Sequence, residues 1–117
     1  MYFKPDLSNH FDYLEITCRD YSTYNNVRIK LPIKGLFVGK VKYDIKNYSD
    51  PSSTIATISH SYNNFNEFYY AGYEGSIYAE YTKTQIILTF CDVKVKNYNS
   101  SIHEITGKVI VPYVNTY

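Results

Sequence analysis

Tryptophan is absent from this chain and alanine is scarce. Alanine is the best helix former, so its shortage removes the composition expected of a helical bundle. Without tryptophan, and with Thr89 rather than a tyrosine two places before Cys91, the marks of a true immunoglobulin domain are missing. Only Cys18 and Cys91 carry thiols. Two cysteines are too few for a disulfide-dense scaffold, and neither has the nearby second cysteine of a zinc motif. Excess charge of one sign is lacking too: 12 Lys and Arg stand against 11 Asp and Glu, a formal net charge of +1. No Lys/Arg run exceeds two residues and the acids are equally dispersed. A duplex nucleic acid partner and a DNA mimic are therefore both unexpected. No apolar stretch approaches the ~20 residues of a membrane helix, so no membrane span is expected. Met1 to His10 shows no basic n-region followed by an apolar h-region, which favours a cytoplasmic location.

What is present is tyrosine, 15 residues in 117, with asparagine and serine also frequent. Part of this bias fits AT-rich codon usage. The rest fits pleated, half-buried surfaces, which favour aromatic side chains. Period-2 alternation dominates the chain. Leu14, Ile16 and Cys18 share a face, as do Val27, Ile29, Leu31 and Ile33, and then Phe37, Val41, Tyr43 and Ile45. Arg28, Lys30, Lys40 and Lys42 take the opposite sides as a mild basic face, read chiefly as protection against edge-to-edge pairing. Pro32 marks an edge strand or a point where pairing stops. Asn47 to Ser53 reads as a loop and Thr54 to Ser61 as a weaker strand. Ser76 to Tyr81 and Gln85 to Lys96 form a hairpin around Thr82-Lys83-Thr84, with Cys91 assigned to an inward face beside Val93 and Val95. A turn over Asn97 to Ser101 leads into a last strand carrying Ile105, Gly107, Val109 and Val111.

These segments predict an all-β domain spanning residues 1–117. It is a small antiparallel β-sandwich or flattened barrel of about seven to nine short strands, with at most one short helical turn. Cys18 and Cys91 are either buried free thiols or a disulfide between facing layers, and a bridge would imply a surface or secreted protein.

Chemistry-bearing patterns are sparse. There is no Gly-x-Ser-x-Gly elbow, no phosphate-cradling glycine loop and no Glu-x-x-His metal pair. His10, His60 and His103 match no zinc spacing, and His10 with Asp12 reads as an ordinary surface pair. No catalytic residue, metal or cofactor is expected. The stretch Tyr62 to Gly75 is the least regular, and Gly72 and Gly75 are expected to bracket a turn. Its Tyr62, Asn64, Phe65, Glu67, Phe68, Tyr69, Tyr70 and Tyr73 have the composition of a recognition surface, rigid aromatic area beside adaptable hydrogen-bonding groups. The same rings would serve equally as a satellite core closing one end of the fold.

Glu74-Gly75-Ser76-Ile77 and Ile105-Thr106-Gly107-Lys108-Val109 loosely resemble the paired glycine-initiated strands of small β-sandwich surface lipoproteins. The residues concerned are of low specificity and assign no family. The expected function is a non-enzymatic binding module acting through a protein–protein interface, such as a small inhibitor, immunity-type or phage-encoded protein. The alternative is a carbohydrate-binding or cell-surface domain whose partner is a glycan. The third reading is an enzyme with a non-local site, for which a pocket joining His60 or His103 to a carboxylate would be the sign.

Overall fold

The computed structural model describes residues 4–9, 13–20, 25–32, 38–47, 51, 54–61, 69–97 and 99–112. Among them are nine strands and no helix: β1 (Lys4–Asn9), β2 (Tyr13–Asp20), β3 (Asn25–Pro32), β4 (Gly39–Ile45), β5 (Ile55–Ser61), β6 (Tyr69–Glu74), β7 (Ser76–Tyr81), β8 (Gln85–Lys96) and β9 (Ile102–Pro112). The all-β class is as expected. β1 was not, because Lys-Pro-Asp-Leu-Ser-Asn offers no apolar alternation to read.

All nine strands belong to one hydrogen-bonded sheet. β1, β2, β3 and β5 follow one another antiparallel. β6 and β7 are nearly one strand, interrupted at Gly75, and both lie antiparallel along β8, whose other edge carries β9. β4 enters where β6 and β7 diverge. It pairs antiparallel with β7, while β5 pairs with β6. Over Asp44 and Ile45, β4 also runs parallel to β5, so the sheet is mixed rather than wholly antiparallel. A full parallel pair needs a crossover of about a dozen residues or more, and here the parallel overlap is confined to two residue pairs.

The inward faces are those that alternation marks. Ile16, Cys18, Ile29, Leu31, Tyr43, Ile45, Ala56, Ile58, Ile77, Leu88 and Val111 are buried in one continuous core cluster. Each large aliphatic side chain there contributes about 1.5–3 kcal/mol relative to an exposed position. β3 is not an edge strand, since β2 and β5 flank it. Pro32 is tolerated because the β5 ladder ends at Lys30, short of the missing N–H.

β8 departs most from simple alternation. Ile86, Leu88 and Phe90 face inward, and so do Val93 and Val95, which have the opposite parity. A bulge between Phe90 and Val93 absorbs the extra residue, with Asp92 at φ 53°. The Asp92 N–H donates to Thr106 Oγ1 at 2.9 Å, so the interrupted ladder keeps a partner there. This bulge turns Cys91 outward, correcting its inward assignment. Cys18 and Cys91 form no disulfide: Cys18 is buried and Cys91 exposed.

Opposite the bulge lies Gly75 at φ +125°, and a Cβ there would come within 3.1 Å of the Val93 Cα. The Ile45 N–H donates to the Gly75 carbonyl at 2.9 Å, tying the end of β4 to the same corner. Gly72 and Gly75 therefore bracket no turn, because β6 stays extended through Gly72. Gly72 is needed for a different reason. A Cβ would lie 2.5 Å from Ile58 Cγ2 and 3.0 Å from the Ile58 carbonyl oxygen.

Two turns form as their side chains dictate. Thr82 Oγ1 accepts from the Gln85 N–H at 3.0 Å, and Asn97 Oδ1 accepts from the N–H groups of Asn99 and Ser101 at 3.0 and 2.9 Å.

Candidate functional site

The inner surface carries polar groups in two places. Deep in the core, the Tyr43 and Tyr81 hydroxyls hydrogen-bond at 2.8 Å, the residues being 0 % and 5 % exposed. Burial pushes the Tyr43 phenol above its usual range, and the bond to Tyr81 partly offsets this.

The second place is the end from which the β5–β6 and β8–β9 connections leave. Register across β2, β3, β5 and β6 lines up Cys18, Val27, His60 and Tyr70 on the inner face. The neighbouring row runs from Gly72 through Val95 to His103. His60 and His103 lie on strands separated by β6 and β8, about 14 Å apart along a flat sheet. Their rings nevertheless meet, with His60 Nδ1 3.0 Å from His103 Nε2. Strong curling of the sheet, with Gly72 leaving the intervening row low, makes this possible. Tyr70 completes the group, its ring centroid 4.2 Å from that of His103 and 6.2 Å from that of His60.

Both imidazoles are half-buried. Burial lowers the pKa of His60 first and the nearby His103 lowers it further, while burial alone lowers that of His103. Both rings are thus held neutral at pH 7, one donating to the other. No group of three or more His, Cys, Asp or Glu able to hold a metal occurs among the described residues.

Of the residues singled out by composition, Tyr62, Asn64, Phe65, Glu67 and Phe68 lie outside the described residues, and Tyr69 is described only as the first residue of β6. Tyr70 turns inward at 9 % exposure and packs on the histidines. Tyr73 sits at the β6 irregularity, with Lys96 Nζ 4.8 Å from its ring centroid. Beside it Glu74 and Lys94 form an exposed ion pair at 3.0 Å, and Glu74 raises the Lys94 pKa. Sequence reasoning had not joined His60 to His103. They are 43 residues apart, and only the strand order brings them together.

The outer surface of β4, β7, β8 and β9 offers a different feature. Register places Lys42, Tyr78, Thr89 and Lys108 in one outward row and Lys40, Glu80, Ile87 and Ile110 in the next. Tyr78 is 56 % and Ile110 47 % exposed, with Ile87 between them. On the β2–β3 outer face, by contrast, Arg28 Nε pairs with Glu15 Oε1 at 2.8 Å and Lys30 Nζ sits 4.7 Å from the Tyr13 ring centroid.

Comparison with protein-family models, with curated proteins and with solved structures finds no match to this chain.

Proposed function

We propose that this protein is a non-enzymatic binding module that engages another protein through the outer face of β4, β7, β8 and β9. The observation that carries the reading is the patch formed by exposed Tyr78 and Ile110 with half-buried Ile87 between them, flanked by Lys40, Lys42 and Lys108 and by the acids Glu80 and Asp44. Contiguous apolar area on a regular sheet face needs a reason, because water gains nothing from it. Tyrosine in such a patch supplies contact area at small entropic cost, and a lysine rim selects by charge. The partner that fits is a protein surface with an apolar centre and an acidic border. The basic face noted in the sequence belongs partly to this rim. Arg28, already paired with Glu15, lies outside it.

The test is a partner screen run in parallel on wild type, a Tyr78→Ser/Ile110→Ser variant and a Lys40→Glu/Lys42→Glu variant, with melting temperature as the folding control. A captured protein with an acidic surface should be lost by both variants, and its affinity should fall with added salt. All altered side chains point outward, so stability should change by no more than about 0.5 kcal/mol per substitution. Equal capture by wild type and both variants, or binding of a glycan unaffected by either, would overturn the proposal.

A further inference from the structure

The geometry points to a second, independent site: we propose that His60 Nδ1 and His103 Nε2 together chelate a divalent transition metal of the Cu²⁺, Ni²⁺ or Zn²⁺ class. Imidazole nitrogen binds such ions at about 2.0–2.1 Å, so two imidazoles on adjacent coordination positions hold their nitrogens roughly 2.9–3.4 Å apart. The observed separation is 3.0 Å. The pair is therefore at chelating distance before any ion arrives, and a tilt of the rings, now at 87° to each other, suffices to aim both lone pairs at one point.

Three further features support the assignment. Both rings have lowered pKa values and are neutral at pH 7, the state that binds metal. Both are half-buried rather than sealed, so an ion can reach them and water can fill its remaining positions. The histidines project from β5 and β9, strands tied into one sheet through β6 and β8. Borderline ions that favour imidazole suit this donor set, whereas Ca²⁺ and Mg²⁺, which demand oxygen, do not.

The proton balance is simple. In the free protein one nitrogen of the facing pair carries the shared hydrogen and the other accepts it. Binding requires both to be bare, so the ring that donates moves its proton to its other nitrogen. The net charge of the two rings is unchanged, and one tautomer switches.

This switch is the most direct readout. The chain has three histidines, so imidazole ¹⁵N spectra of the full chain can be assigned with His10→Gln, His60→Gln and His103→Gln. Zn²⁺ added at mildly alkaline pH, after EDTA treatment and dialysis, should move the ring resonances of His60 and His103 and leave those of His10 in place. Ni²⁺ and Cu²⁺ should raise the melting temperature of wild type and of His10→Gln, increasingly with concentration, as expected for a ligand bound only by the folded state. His60→Gln and His103→Gln should each lose at least tenfold in metal affinity. Unshifted His60 and His103 resonances at millimolar Zn²⁺ would overturn the proposal. So would metal binding that survives either substitution, and because the spectra are read on wild type, a variant that folds poorly leaves the result decisive.

Discussion

Two hydrogen-bonded aromatic pairs line the inside of this curled sheet, one joining the adjacent strands β4 and β7 and the other reaching across β6 and β8, and they differ in burial. Tyr43 and Tyr81 are sealed in the core, whereas His60 and His103 meet half-buried at one end. A sealed pair of phenols can only organise the packing around it. A pair of neutral imidazoles reached by water can exchange its proton or take up an ion. One hydrogen-bonded pair is thus a structural element and the other a chemically available one, and access to water decides which.

The comparison can be broken most forcefully at its sealed end. Tyr43→Ala removes a fully buried ring and should cost about 3–5 kcal/mol, measured by urea denaturation. Gly72→Ala attacks the open end from beneath, driving a methyl group into Ile58. It should cost about 1–3 kcal/mol and spread the His60 and His103 resonances as the rings separate. Tyr81→Phe keeps the ring and deletes its hydroxyl, and a loss of about 1 kcal/mol is expected. The smallest effect is that of pH. Unfolded histidine titrates near 6.5, and both native rings titrate below it. The unfolded chain therefore takes up protons first as the pH falls. The stability contributed by the neutral pair is complete above pH 6.5 and declines as the pH drops through the lowered native values. With EDTA present, denaturation midpoints at about pH 7.5 and about pH 5.5 should differ in wild type and converge in the His60→Gln/His103→Gln double variant.

How much of this was legible depended on range. Ile29 and Leu31, and Tyr43 and Ile45, declare their inward faces by alternation alone, and Thr82 and Asn97 declare their turns by side-chain chemistry. Cys91 was misplaced because a bulge changes parity without altering composition, and Asp92 at positive φ is its only local trace. The histidine pair left no local trace at all. His60 lies near the end of a weak strand and His103 near the start of a clear one, and nothing in either segment announces that the sheet curls far enough for them to touch. Tyr70, read within a recognition segment, turned inward because it shares the row of His60.

The corner at Gly75 and Asp92 also bears on the order in which the chain folds. β8 pairs with β6, β7 and β9, and its turns at Thr82–Gln85 and Asn97–Ser101 close over a few residues with their own hydrogen bonds. Loop closure there costs little entropy, so residues 69–112 can assemble as a local meander. β5 must instead find β3, and β4 must find β7, contacts that span more of the chain. In pulse-labelled hydrogen exchange, the amides of β7, β8 and β9 should gain protection first. Those joining β3 to β5 should follow.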